Sequence, residues 1–345
     1  MKVSWGVWRF VSKRLVYGIV SLIGLSILIF VIARVLPGDP ARLALGPNAP
    51  QATVNQLRAA MHLNDPIYVQ YYYWLQGIFT GNWGLSLVTQ RNVLLDVENF
   101  LPATIELILT AAIIDLIFAV LLGVLAGRRP NTWADNTIRF FSYLGVAVPS
   151  FVVAIFLQLG FGYWLHWFPI TGRLTVGVTI PPTYTGLYTI DSLLTGNLGT
   201  LENALWHLIL PATALALGPI AQEARLMRSS MVESLGKDYT LAEISHGLPE
   251  RSILKYLTKP SLIPMLTIYA LDISSQIANA FLVELIFNWP GFSRYGLNAM
   301  LFKDLNAIVA VVMVAGVMYV VANIVVDIVV GYLDPRIKLQ ARIEE

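Results

Sequence analysis

The chain has 345 residues, of which 56% are hydrophobic and 13% charged, with a formal net charge of +2 and no cysteine. A soluble globule carries roughly 25% charged residues, so too little polar surface is present to solvate a chain of this length, and the expected solvent is a bilayer. The missing cysteine excludes disulfides, iron–sulfur clusters and thiolate zinc sites, and the small net charge gives no footing for nucleic acid.

Six apolar segments follow in order: Leu15–Leu36, Ala103–Gly127, Phe140–Trp164, Leu205–Ala221, Pro264–Phe287 and Ile308–Gly331. About 20 helical residues cross a hydrocarbon core of about 30 Å, and a helix satisfies its own backbone in lipid. The expected fold is an all-α integral membrane protein of six transmembrane helices with an extended outer connection. The first segment exceeds the roughly 7–15 apolar residues of a signal peptide and no A-x-A pattern follows, so it reads as an uncleaved anchor. The chain divides into an N-terminal segment and first span (1–36), an outer connection with amphipathic helices (37–100), a five-span core (101–335) and a tail (336–345).

In the outer connection, Gln51–Leu63 has an amphipathic helical period. Asp65 reads as an N-cap with Pro66 at the first helical position, opening a second helix through Tyr71, Tyr72, Tyr73 and Trp74. That aromatic stripe either packs at the interface or receives an external partner. Pro149, Pro211 and Pro219 interrupt apolar segments and are expected to loosen or kink them. Residues 169–203 have no helical period and read as an extended external loop.

Basic residues set the orientation. Lys2, Arg9, Lys13 and Arg14, then Arg128, Arg129 and Arg139, then Arg225, Arg228, Lys237, Arg251, Lys255 and Lys259, and finally Arg336, Lys338 and Arg342 fall on one side. Arg42, Arg58, Arg91, Arg173, Arg294 and Lys303 fall on the other, whose connections are longer. Both termini are therefore expected in the cytoplasm of a multi-pass cell-membrane protein. Trp164, Trp167 and Trp289 stand where an outer aromatic belt belongs.

The connection 222–262 is the longest on the basic side. A helix is expected to end at Gly236, Asp238 to cap a short helix through His246, Gly247 to stop it, and Pro249 to prevent its continuation. Spacing alone leaves two readings open, an ordinary basic loop or a compact protruding element.

Ionisable groups inside spans need a reason, because each costs about 2.5–3.5 kcal/mol at the bilayer centre. Asp272, Ser275, Gln276 and Asn279 fall within an arc of roughly 100° on the fifth segment. That face either lines a translocation pathway or hydrogen-bonds to neighbouring helices. Asp115 lies mid-segment without a basic residue at its depth, and is protonated, paired with a partner subunit or open to a watery cavity; the sequence leaves all three open. Asn323 and Asp327 are expected in helix packing, and Glu284 beside the turn at Trp289, Pro290 and Gly291.

No G-x-x-x-x-G-K-[ST] phosphate loop occurs, so ATP hydrolysis is not expected of this chain. His62, His166, His207 and His246 are scattered and form no metal motif. No catalytic, cofactor or metal site is expected.

A run of short motifs along the chain resembles the permease subunits of ATP-binding-cassette importers for dipeptides, oligopeptides and nickel. Its centre is Asp238-Tyr239, Ala242, Gly247-Leu248 and Pro264. In order come Arg34 through Pro40, Gly81 through Ser86, Val148 through Phe151, Trp167 through Gly172, Leu210 through Ala212, and Arg225, Arg228 and Met231. Glu284 through Gly291, Asn323 with Asp327, and Leu333 through Arg336 complete the set. Glu243 and Ser245 stand where the family usually has alanine, His246 where it has lysine, and Asn82 where it has Asp.

The resemblance implies that 222–262 carries a cytoplasmic coupling helix, with Asp238, Tyr239, Ala242, Glu243, His246, Gly247 and Leu248 docking on a separate ATPase. It further implies a second, similar permease subunit, two ATPase subunits that bind ATP and Mg, and an extracellular solute-binding protein. Asp115, Asp272, Ser275, Gln276 and Asn279 would line an alternating-access pathway for peptides, oligosaccharides or nickel. A secondary transporter or channel driven by an ion gradient, with Asp115 and Asp272 as proton or cation sites, is the alternative, and it leaves the loop motif unexplained.

Overall fold

A computed structural model describes residues 5–35, 40–46 and 48–333. Apart from one bridge between Leu85 and Asn92, regular structure among the described residues is helical. Five helices there are long and apolar enough to cross a bilayer: α1 (Trp5–Val35), α5 (Val93–Arg128), α9 (Leu198–Leu235), α11 (Glu250–Ile286) and α13 (Leu305–Leu333). The 38 residues of α9 extend about 57 Å, far beyond a hydrocarbon core of about 30 Å. Hence α9 and α11 overhang the membrane, and most of 222–262 is helix.

The third apolar segment is interrupted at Pro149, as expected, but far more sharply than by a kink within one span. It divides into α6 (Trp133–Ala147) and α7 (Ser150–Leu157), the latter continued by a π-helical turn Gln158–Trp164, with a bend of 108° between the two halves. Val148 is extended (φ −93°, ψ 122°), because the ring of Pro149 disfavours helical backbone in the residue before it. Pro211 and Pro219, by contrast, lie inside a continuous α9.

Small residues let the spans approach, as expected where lipid offers no hydrophobic drive between helices. A Cβ on Gly123 of α5 would fall 2.5 Å from Met227 of α9, and one on Gly316 of α13 would fall 2.3 Å from Leu25 of α1. Along the α5–α9 seam Ala103, Leu107 and Ala111 cluster with Leu208, Ala212 and Leu215. The hub is α9, which touches α5, α6, α7 and α11.

The shorter helices α2 (Pro40–Leu45), α3 (Gln51–Ala60), α4 (Ile67–Phe79), α8 (Tyr188–Leu194) and α12 (Phe292–Leu301) belong to the connections at one end of the bundle, here the far face. Helix α4 begins one residue later than expected, with Pro66 at the cap. Asp65 does not cap it, because its carboxylate meets Nδ1 of His62 at 2.8 Å. Tyr71 and Trp74 pack on Phe30 with ring centroids 5.3 Å away, and the Tyr71 and Ser26 hydroxyls are hydrogen-bonded. This half of the aromatic stripe is helix packing, while Tyr68 and Tyr72 remain exposed.

Residues 169–203 are not wholly extended either, for they contain α8 and the start of α9. Arg173 anchors this segment by an ion pair with Glu106 of α5 (2.5 Å), with its guanidinium 3.5 Å over the Tyr188 ring. Asp191 is buried and accepts from the Thr185 backbone and hydroxyl, from Gly186 N and from Tyr184 N. Burial opposes its charge, yet those bonds prevail and hold the carboxyl below the ordinary aspartate range.

Glu284 organises the turn at Trp289, as expected. Its carboxylate accepts from Thr104 and from Arg294 N, its backbone carbonyl from Trp289 N, and the carboxylate lies where any side chain on Gly291 would have to go. Residues 36–39 and 334–336 of the family motifs, the tail 336–345 and the Asp327 side chain lie outside the described residues.

Candidate functional site: a protruding helix and a polar core

Helix α9 stops at Leu235, and α10 (Asp238–Ser245) follows after Gly236 and Lys237. Lys237 occupies the cap position that the sequence had allotted to Asp238, with Asp238 one residue inside, where a carboxylate favours the positive helix end. Lys237 also pairs with Glu233 at 2.9 Å. At the other end, Leu248 N bonds to Glu243 O and Gly247 N to Ile244 O, the two bonds of a Schellman stop. Gly247 has φ +72°, a conformation open to glycine and costly for a side chain with a Cβ. Helix α11 starts directly after Pro249.

Thr240 locks α10 to the body. It is fully buried, and its hydroxyl donates to the Ser234 carbonyl at 2.8 Å, satisfying one of the last carbonyls of α9. Tyr239, Leu241, Ile244 and Leu248 stay exposed, 39–51% each, as do Asp238, Ala242, His246 and Gly247. Glu243 alone of the expected docking residues is half-buried. A short helix is thus braced on one side and presents apolar side chains that are exposed among the described residues on the other.

Two ion pairs tie its supports together. Glu250, the first residue of α11, meets Arg128 at the end of α5 (2.7 Å). Asp135 of α6 is buried and takes a bidentate bond from Arg228 of α9, at 2.9 and 2.8 Å. Neither partnership was legible in the spacing, although Thr132 three residues before Asp135 does mark a capped helix start.

Inside the bundle, Asp115 of α5 faces Glu223 of α9. Both side chains are fully buried, and none of their four carboxyl oxygens has a hydrogen-bond partner among the described residues. Asp272 of α11 lies near both and accepts from Gln222 Nε2 at 3.1 Å. Tyr269 beside them donates to Ala112 O. Glu223 was absent from the expected polar set because hydropathy falls away after Ala221, yet α9 continues and buries it.

The polar stripe of α11 divides. Ser275 and Asn279 are exposed on the bundle surface, Asp272 is half-buried, and Gln276 is fully buried with its amide unpartnered among the described residues. Ser275 donates to the Asp272 carbonyl.

The family described as "Binding-protein-dependent transport system inner membrane component" matches residues 119–339, and its N-terminal counterpart matches residues 7–108. The chain is 35% identical over 332 residues to a probable D,D-dipeptide transport system permease protein of Escherichia coli, covering 96% of this chain and 97% of that one. It is 35% identical to a dipeptide transport system permease protein of Alkalihalophilus pseudofirmus, with 95% and 99% covered. It is 32% identical to an oligopeptide transport system permease protein of Bacillus subtilis, again with 95% and 99% covered. This chain therefore belongs to the binding-protein-dependent transport system inner membrane components.

Proposed function

We propose that the chain is one permease subunit of an ATP-driven importer of peptides or a related small polar solute, oligosaccharides included. The observation that carries this reading is α10, a rigid helix braced by Thr240 whose apolar side stays exposed among the described residues. A separate ATPase subunit would seat that face, with Asp238, Tyr239, Ala242, Glu243, His246, Gly247 and Leu248 at the contact. Two such ATPases binding ATP and Mg, a second permease and an extracellular solute-binding protein complete the assembly, with both termini of this chain in the cytoplasm.

The mechanism follows from continuity. Helices α9 and α11 run unbroken from the docking loop through the membrane, so displacement of α10 by a closing motor moves both as rigid levers. Asp115 and Asp272 stand between those levers, and Ser275, Gln276 and Asn279 continue the polar stripe. We assign these five to the translocation pathway, which opens alternately to each side as the levers move. No bond in the solute is made or broken.

Purification in mild detergent is expected to bring down ATPase subunits, and vesicle uptake to require ATP. Uptake by the chain alone on an ion gradient would overturn the reading in favour of a secondary transporter. The chain's lack of cysteine allows a separate check of the pathway. Ser275→Cys and Asn279→Cys are expected to react with a small thiol reagent in a manner that changes with ATP; protection in every state would assign them to packing.

A further inference from the structure

The far-face ends of α1 and α13 part to leave a cavity. Deeper in the bundle these helices touch, with Gly18 against Val320 and Gly316 against Leu25. Above that closure a space of about 440 Å³ opens between them and is walled on its third side by α4 and the segment after it. Met313 and Phe30 lie at its inner end, while Arg34, Asn82 and Asn306 lie at its outer rim. From Asn306 to Met313 the wall of α13 descends about 10 Å, and its chemistry changes from amide to thioether on the way.

Arg34 is the telling residue. It closes the apolar window Ser12–Arg34 and so stands at the depth of lipid head groups. It is half-buried, lies 5.2 Å over the Phe30 ring, and has no carboxylate paired with it among the described residues. His62, which lines the same cavity, is itself bonded to Asp65. A guanidinium facing a cavity with no carboxylate partner among the described residues has room for an anion from outside, and a bidentate phosphate suits its fork geometry. The apolar shaft below calls for an aliphatic chain.

We propose that this cavity seats a phospholipid from the leaflet on the far face, with its phosphate on Arg34 and one acyl chain between α1 and α13. In the orientation proposed above that is the outer leaflet; the site itself does not depend on the solute or on the motor. A bound lipid would fill the gap that the two helices leave and hold α4 at a fixed height over α1.

Native mass spectrometry of the full chain, extracted with its accompanying subunits and titrated with palmitoyl-oleoyl phosphatidylglycerol, tests this. The wild type is expected to retain a lipid adduct that excess inorganic phosphate and a dipeptide both fail to displace. Arg34→Gln should weaken it roughly tenfold by removing a charge-assisted bond, and Arg34→Lys by less. Met313→Trp, which fills the shaft and leaves the cation, should also weaken it. Equal adducts in the wild type, Arg34→Gln and Met313→Trp would overturn the proposal. So would displacement by inorganic phosphate, which would make the site one for a free anion, or by the dipeptide, which would make it a solute site.

Discussion

The Thr240 hydroxyl donates to the Ser234 carbonyl across 2.8 Å in a fully buried setting, and this bond is the joint between α10 and the long helix α9. Without it, the Ser234 carbonyl keeps the longer bond from Lys237 N at 3.3 Å, and the loss of one hydrogen bond is expected to cost about 0.5–1.5 kcal/mol. Thr240→Val keeps the shape and removes the donor. It is expected to lower the ratio of solute transported to ATP hydrolysed in reconstituted vesicles, with Thr240→Ser restoring it. An unchanged ratio in Thr240→Val would show that the joint is held by other contacts.

Gly247 makes a separate prediction, because nothing lies within 4 Å of where its Cβ would be. Space is therefore not the constraint; the φ of +72° is. A β-branched residue is a genuine outlier in that region, whereas Asn visits it readily. Gly247→Val is expected to abolish coupling, and Gly247→Asn to retain most of it. Equal loss in both would mean that contact with the partner, not backbone conformation, demands glycine.

The Asp115–Glu223 pair should tolerate an amide and reject an apolar gap. Glu223→Gln supplies a donor to the facing carboxyl and is expected to leave the thermal midpoint nearly unchanged. Glu223→Ala leaves a gap beside the buried Asp115 carboxyl and is expected to lower the midpoint clearly more than Glu223→Gln does. A larger loss in the Gln variant than in the Ala variant would contradict the pairing.

Asp191 gives the segment after Arg173 a pH dependence. Its carboxyl is held below the ordinary aspartate value, in spite of burial, by hydrogen bonds from Thr185, Gly186 and Tyr184. A depressed folded-state pKa contributes stability that is fully present above the unfolded value of about 3.9. That stability is lost as pH falls through the lower folded value. Amide exchange in residues 184–191 is therefore expected to be slow at neutral pH and to speed up in acid beyond the intrinsic rate change. Asp191→Asn, which keeps one acceptor oxygen, should already show the faster exchange at neutral pH.

Hydropathy made five of the six spans legible, since a run such as Leu205–Ala221 has few physical alternatives. An interruption at Pro149 was legible too, but not that it would be a full break at Val148 while Pro211 and Pro219 leave α9 continuous. Whether neighbours can absorb the lost hydrogen bond is a tertiary matter. The α10 stop was legible because Gly247 and Pro249 act through local backbone geometry. Glu223, Glu106 and the Asp135–Arg228 pair were not, since their partners lie on other helices and no period along one segment reports them. The sequence also overstated the unity of the α11 stripe: Gln276 and Ser275 are adjacent, yet one is buried and the other exposed.

Docking at α10 is tested most directly by placing a single cysteine at Ile244, an exposed position on its apolar side, in a chain that has no other. In the assembled complex the thiol is expected to be shielded from maleimide and to cross-link to an ATPase subunit. In the chain stripped of that subunit it should react freely. Equal reactivity in both states, with no cross-link, would contradict the coupling role of this helix.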